Sequence, residues 1–452
     1  MHVVIVGAGE VGWYLAERLR DEGTDVAVVE IDAVLADTLG SELDVQVVTG
    51  SGTSAANLVS AGIRDADLLA AVTDNDEVNL IASMLAKQHN VDFSIVRLQS
   101  EELRSADGEG VRRACGVDVV IDPDADTADE IYELVHTTGA DEVYPMAGGE
   151  LIVVGAYLNE GAPLANKSLA EIGHAAGDEW NYLFGTVTRD GKQKLPRGDQ
   201  LLLPGDHVRV ICKKSARAEL LSQLGVAGKN ASRVMILGGG AVGTRVAERM
   251  VDDGAQVTLV ERDPERATRL SHELKQVTVI QGEVTDTELL VEEQVGKMDA
   301  VIAVTGEDGS NALACAFAIS EGATYTVVVL HSLAMLPLVR RFGVDAALSP
   351  RTASANAVLR QVRGDAAAVN TFLDGDAEID EIEIRPKSRA DGVTVGELHL
   401  PHNILIGAVV HKGSAAEIVR GRTKLAAGDH IAVFGRPQAI RDAKPIFVDP
   451  VE

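Results

Sequence analysis

Cysteine is nearly absent from this 452-residue chain: Cys115, Cys212 and Cys315 are the whole supply. An odd number at wide spacing builds neither a disulfide framework nor a structural metal site, and the usage fits a reducing cytosol. Positive charge is short too, with 41 Lys and Arg against 69 Asp and Glu and a net charge of −28. A surface of that sign repels nucleic-acid phosphates and anionic lipid headgroups, so no nucleic-acid partner is expected. It suits solubility instead, including in concentrated salt, where screening relieves self-repulsion. No uncharged apolar run approaches the ~18–20 residues of a membrane span. The apolar start at Val3 to Val6 is too short for a signal peptide and has no basic flank, so a soluble protein starting at Met1 is expected. Aromatic residues make up only 3%, yet 46% hydrophobic and 24% charged residues describe a folded globular chain. Its length suggests about three domains.

What the chain does have, it has twice. Val3-Val4-Ile5-Val6-Gly7-Ala8-Gly9-Glu10-Val11-Gly12 returns as Val234-Met235-Ile236-Leu237-Gly238-Gly239-Gly240-Ala241-Val242-Gly243. Each copy is four apolar residues, enough for a buried parallel strand, then G-x-G-x-x-G. A helical pattern follows, with Tyr14, Leu15 and Leu19 in one copy and Val246 and Met250 in the other. Strand, glycine turn and helix in that order is the context of a dinucleotide-binding fingerprint. The first glycine permits the tight turn, the second lets a pyrophosphate approach the backbone, and the third lets helix and strand pack closely. The phosphate charge then sits at a helix N-terminus.

Each copy also supplies an acid. Asp25 to Glu30 and Gln256 to Glu261 read as second strands, and each glutamate stands 18 residues beyond its last glycine. That is close to the ~20 expected of a carboxylate that binds a ribose hydroxyl. Such a group accepts from a 2′-OH and repels a 2′-phosphate, so NAD or adenosine nucleotides are favoured over NADP. The competing reading of the second copy is a pocket decayed into plain structure.

The duplication continues. Val45 to Val48, Leu68 to Val72 and Phe93 to Leu98 read as third, fourth and fifth strands, with a helix from Val78 to Lys87. Val277 to Ile280, Ala300 to Val304 and Thr326 to Leu330 repeat the strands, and short sixth strands end at Pro123 and Pro350. Gly7 and Gly238 are 231 residues apart, and Thr73 and Thr305 are 232 apart. A period so long means tandem domains, not a solenoid. Alternating strands and helices imply parallel sheets covered on both faces.

Each large unit is followed by a smaller, strand-rich one with a Gly-Asp turn, at Gly205-Asp206 and Gly428-Asp429. Strands are expected at Leu151 to Tyr157, Tyr182 to Thr188 and Val208 to Cys212, and again at Ile382 to Ile384, Ile404 to Val410 and Ile431 to Phe434. The fold class is therefore α/β: two Rossmann-like doubly wound parallel sheets, each followed by a small mixed α/β lobe. The expected divisions are 1–139, 140–225, 231–364 and 369–452. Between large and small units lie helical stripes, Ala128, Ile131, Leu134 and Val135 in one copy and Ala355, Val358, Leu359 and Val362 in the other. Two readings stand open: the stripes pack on their own domain, or they cross to a neighbouring one as a dimer contact.

Smaller features read as structural. His207 and His430, after the Gly-Asp turns, fit a turn role better than a metal site, since no four-ligand cluster forms with Cys212. Asp32 and Asp263 suit helix caps, and Asn79 and Asn311 are read as caps or turn residues. No catalytic residue and no metal ligand is assigned.

The doubled GAGEVG and GGGAVG units, each followed by a small lobe with a Gly-Asp turn, resemble the TrkA family of Trk-type potassium uptake systems along essentially the whole chain. Members are soluble and carry two RCK (regulator of K+ conductance) domains, each an N lobe plus a C lobe. The resemblance implies NAD(H) as ligand, with ATP or ADP as alternatives. It also implies a homo-oligomer, from dimer to tetramer or ring, held at the inner face of the membrane by an integral-membrane potassium transporter subunit. Carried over by residue, the first site uses Gly7, Ala8, Gly9, Glu10, Val11 and Gly12 around the phosphates, Glu30 on the ribose and Thr73-Asp74 on the far side. Arg97 matches the family's phosphate-contacting arginine. The second site uses Gly238, Gly239, Gly240, Ala241, Val242, Gly243, Glu261, Thr305 and Gly306.

Two departures stand out. Val329 replaces Arg97 in the second copy, so that pocket is expected to lack a fixed positive charge for phosphate and to favour less highly charged ligands or bind weakly. Glu10 lies inside the first glycine turn, where a carboxylate competes with phosphate for the same amides. Arg97 as a surface ion-pair partner and Glu10 as a solvated acid are the plainer readings. Two other functions stay open beside regulation. One is an NAD-dependent oxidoreductase, although the small lobes offer no proton donor for a nicotinamide. The other is a freestanding nucleotide sensor.

Overall fold

The computed structural model describes all residues except 22, 178, 227–229, 351, 353–355, 357, 359–369, 372–376, 413–414 and 451–452. The first large sheet comprises β1 (His2–Val6), β2 (Asp25–Glu30), β3 (Gln46–Thr49), β4 (Leu68–Ala71), β5 (Phe93–Arg97) and β6 (Val119–Ile121). All are parallel, in the order β3-β2-β1-β4-β5-β6. Val3 to Val6 are no more than 1% exposed because helices cover both faces, which is why the strand is apolar without alternation. The order reverses at β1, and that reversal opens a crevice at the strands' carboxyl ends.

The first small lobe is an antiparallel sheet of β7 (Glu142–Met146), β8 (Leu151–Tyr157), β9 (Tyr182–Arg189), β10 (Lys192–Lys194) and β11 (His207–Lys213), in the order β10-β9-β11-β8-β7. The sequence reading missed β7. Pro145 and Glu142 disguise it, but an edge strand tolerates proline. Glu142 is buried there because Arg209 meets it with two hydrogen bonds, Nε at 2.5 Å and Nη2 at 2.7 Å.

The second large sheet repeats the first: β12 (Arg233–Leu237), β13 (Gln256–Glu261), β14 (Val277–Gln281), β15 (Ala300–Ala303), β16 (Thr326–Val329) and β17 (Ala346–Leu348). Their order is β14-β13-β12-β15-β16-β17, all parallel. The second small sheet contains β18 (Asn370–Thr371), β19 (Glu378–Glu383), β20 (Ile404–Val410), β21 (Ala416–Ile418) and β22 (His430–Gly435). The two small sheets share a core in which Tyr144, Val153 and Ile211 of one meet Ile379, Ala408 and Phe434 of the other. Short helical turns repeat as well, each opened by a reciprocal capping box, Ser168 with Glu171 and Thr394 with Glu397.

The chain divides into two compact units, one of residues 1–126 with 350–366 and the other of 127–349 with 367–452. This resolves the open question of the helical stripes. In the helix Pro123–Val135, residues Ala128, Ile131, Leu134 and Val135 lie in the core of the second large sheet, with Val234, Ile236 and Met250. Asp129 pairs with Arg249, whose guanidinium lies 5.4 Å over the Tyr132 ring, and His136 Nε2 is 3.0 Å from Asp253. Reciprocally, Val358 is fully buried in the core of the first large sheet, beside Val3, Ile5 and Leu15. Ala355, Leu359 and Val362 lie outside the described residues. The first stripe thus packs on the second large sheet, and Val358 on the first.

Candidate nucleotide-binding site

Both glycine turns are built by the same close contacts. Gly7 N and Gly238 N donate to Val29 O and Val260 O, each at 2.9 Å, so each turn leaves its strand beside the acid-bearing strand. Gly7 has φ +99° and Gly238 φ +118°, conformations that favour glycine. A Cβ on Gly12 would stand 1.9 Å from Gly7 O, and one on Gly243 2.0 Å from Gly238 O, so neither helix could pack with any side chain there. The central glycines behave differently: a Cβ on Gly9 or Gly240 would meet nothing within 4 Å. Backbone amides and open space therefore coincide where the helices Glu10–Asp21 and Ala241–Asp252 begin. A helix start of that kind favours anions. Val11 is buried and Val242 half-buried on those helices. The side chain of Glu10 lies outside the described part of the structure.

The acids do more than the spacing indicated. Glu30 is 7% exposed, and its Oε2 accepts from Ala8 N at 2.5 Å while Oε1 accepts from Asp32 N at 2.8 Å. Glu261, at 4%, accepts from Gly239 N at 2.9 Å and Asp263 N at 2.8 Å. Each carboxylate pins its glycine turn to the next loop and keeps lone pairs for a ribose hydroxyl. Asp32 and Asp263 cap the following helices, Asp32 accepting from Val34 N and Leu35 N and Asp263 from Arg266 N.

Across each crevice, a buried asparagine organises the far wall. Asn79 Oδ1 accepts from Thr73 N and Oγ1 at 3.0 and 2.6 Å, and its Nδ2 donates to Thr73 O and Arg97 O. Asn311 does the same for Thr305 and for Val329 O. These asparagines are therefore neither caps nor turn residues. They tie the ends of two strands together, while Asn75 caps the helix Asp76–Gln88. Asp74 is exposed beside Thr73. Arg97 ends β5 half-buried, with its Nε enclosed and without a hydrogen-bond partner.

In the second copy, Gly238, Gly239, Gly240, Glu261, Thr305 and Gly306 line one cavity of about 330 Å³. Positive charge that the sequence reading passed over stands beside the acid in this pocket. Arg262 and Arg266 line it too, and Arg262 Nη1 lies 3.0 Å from Glu307 Oε1. Hydrogen bonds from Arg262 and then Ser310 hold the Glu307 carboxyl below its ordinary range. Their signal was present in the sequence, since Arg262 directly follows the acid.

Two larger cavities also occur among the described residues. One of about 620 Å³ is lined by Asp141, Tyr157, Tyr325, Arg340 and Asp345, and one of about 530 Å³ by Trp180, Phe184, Leu405 and Arg420. Neither is lined by a G-x-G-x-x-G turn. His207 is explained at the first, its Nε2 2.8 Å from Asp141 in a buried pair, and His430 Nδ1 lies 3.3 Å from Glu381. Among the described residues, no cluster could hold a metal ion and no helix is long and apolar enough to cross a membrane.

The sequence matches the TrkA-N domain at residues 3–123 and 234–350 and the TrkA-C domain at 153–225 and 380–448. This chain belongs to the TrkA family. It is 33% identical over 449 residues to the Trk system potassium uptake protein TrkA homolog of Archaeoglobus fulgidus, covering 99% of this chain and 100% of that one. The Trk system potassium uptake protein TrkA of Halomonas elongata is 32% identical over 456 residues, covering 99% and 98%. Among solved structures, the GsuK RCK domain superposes with a TM-score of 0.61 at 20% identity, covering 98% of this chain and 94% of that one. The GsuK channel bound to NAD gives 0.61 at 19%, covering 98% and 78%. Both relatives are named as potassium uptake proteins of Trk systems.

Proposed function

We propose that the chain reads adenine nucleotides through its two glycine-turn crevices and passes the result, as a change of conformation, to an integral-membrane potassium transporter subunit. The observation that carries this reading is the coincidence, twice, of an uncrowded central glycine, a helix start and an anchored acid. NAD(H), ATP and ADP are the proposed ligands. The GsuK likeness supports the fold, and the ligand reading stands on the crevices themselves. Gly7 to Gly12 and Gly238 to Gly243 would hold phosphates on backbone amides, and Glu30 and Glu261 would accept ribose hydroxyls. Thr73-Asp74 and Thr305-Gly306 would close the far side. Arg97, whose Nε has no partner, would meet phosphate charge in the first crevice.

The bound nucleotide supplies binding energy here, not a reaction. A ligand moves an equilibrium only by binding its two conformations unequally. Carrying a gate from nearly closed to nearly open takes about 5.5 kcal/mol. Several sites in a homo-oligomer would share this at about 1–3 kcal/mol each. On this reading the protein is not an enzyme, and it works in the cytoplasm, peripherally bound at the membrane's inner face.

Titration of the full-length protein with NAD+, NADH, ATP and ADP, with assembly size followed in parallel, tests the proposal. Binding that weakens at least tenfold in Glu30→Ala is expected. A protein indifferent to all four, or one that transfers hydride from NADH to a substrate, would overturn it.

A further inference from the structure

The two crevices differ beside the anchored acid, where the adenosine end of a nucleotide would lie. In the first, Glu30 is followed by Ile31, 73% exposed, with Leu35 a helical turn on. The same positions in the second hold Arg262 and Arg266, and both line the cavity with Glu261. Arg266 Nη1 stands 3.6 Å from Glu261 Oε2. Arg262 reaches from the end of β13 to Glu307, at the N-cap of the helix Asp308–Glu321. Glu307 does not cap that helix with its side chain, whereas Asn75 at the matching place accepts from Val78 N at 2.8 Å. Ser310 Oγ instead holds the second oxygen of Glu307 at 3.1 Å. A side chain placed to cap its own helix is thus turned to hold an arginine across the crevice.

Resting on the nucleotide reading above, we propose that the second crevice selects adenine nucleotides that carry a phosphate on the adenosine ribose, the chemistry of NADP, while the first takes the unphosphorylated form. Arg262 and Arg266 are the specificity-determining residues, and Glu307 is the competitor that the phosphate displaces. A ribose phosphate brings roughly −1.5 to −2 charges. Beside Glu30, the nearest matching positions offer only Ile31 and Leu35, so the carboxylate repels that charge. Glu261 rests on the same pair of backbone amides as Glu30, but Arg266 lies against it where Glu30 has only Leu35 at the matching position. Its charge is met before a ligand arrives. Guanidinium groups present the planar fork that suits phosphate. Glu283 and Glu307 also line the cavity and oppose anions, which makes release of Arg262 from Glu307 the step a phosphate must accomplish.

The test is calorimetric titration of the full-length protein with adenosine 2′,5′-bisphosphate and adenosine 5′-monophosphate, beside NAD+. The expected result is a site at least tenfold tighter for the bisphosphate. Arg262→Ile with Arg266→Leu, the residues of the first copy, should abolish that preference and leave NAD+ binding at the first crevice unchanged. Glu307→Gln should tighten the bisphosphate severalfold, and Ile31→Arg with Leu35→Arg should create the preference in the first copy. Equal affinity for the two adenosine phosphates, or a preference that survives the double substitution, overturns the inference. Failure of the parent protein to bind NAD+ as well overturns the nucleotide reading beneath it, so the two failures are distinct.

Discussion

The two large lobes keep the same inner framework and differ at its rim. Turn glycines, the amide-bound glutamates, the capping aspartates and the asparagine braces recur with nearly the same distances. Ile31, Leu35, Asn75 and Arg97 face Arg262, Arg266, Glu307 and Val329 at the matching places. Residues that shape the backbone cannot change without moving several partners together. Ile31, Arg262 and Arg266 are exposed at the crevice mouth, so each copy can bind differently on one scaffold.

The strongest way to break this comparison is at the third glycines. Gly12→Val and Gly243→Val each put a side chain on a carbonyl oxygen that a Cβ already approaches to 1.9 and 2.0 Å. Each should remove nucleotide binding from its own crevice by more than about a hundredfold, read by titration of the two single variants, because overpacking against backbone forces the turn apart. Equal loss at both crevices from one substitution would deny that the sites are separate.

Next comes a pair that only one small lobe has. Arg209 is fully buried on Glu142, and the matching position in the second small sheet is Ala432. Arg209→Ala should cost about 3–5 kcal/mol in denaturant unfolding, since it leaves Glu142 buried without its cation. Replacing both, Arg209→Met with Glu142→Leu, should recover most of it.

A subtler contrast lies where the fifth strands begin. Tyr325 Oη donates to Ala140 O at 2.6 Å in a buried setting, and the first copy has Phe93 there. Tyr325→Phe makes the copies alike and should cost about 1–3 kcal/mol, the price of an unsatisfied buried carbonyl. The smallest effect concerns acid. Burial raises the Asp308 carboxyl, but the amides of His331 and Ser332 and the His331 ring outweigh it and hold the group below its ordinary value. A carboxyl depressed in the folded state stabilises above its unfolded pKa, and the gain is lost as pH falls through the folded one. Asp308→Asn should therefore lower the unfolding midpoint near neutrality and narrow the gap to the parent as pH falls, measured in urea.

Legibility followed the range of the interaction. Gly7 to Gly12, Glu30 and Asp32 were readable because a turn, a strand end and a cap are set by residues within a few positions of one another. The fourth strand ends one residue early, at Ala71. The strand Glu142–Met146 was hidden, since its acid is neutralised by Arg209, 67 residues away. Asn79 looked like a cap until the strand beside it supplied Arg97 O as a partner.

Local order alone determined the duplication, the glycine turns and the two α/β sheets, because apolar periodicity and glycine spacing encode strand, turn and helix without reference to distant residues. Tertiary structure decided which sheet Ile131 and Val358 cover and what stands at each crevice mouth. Ile131 and Val358 are apolar residues that would suit either sheet equally. Only packing, which depends on the whole chain, could assign them to the opposite copy.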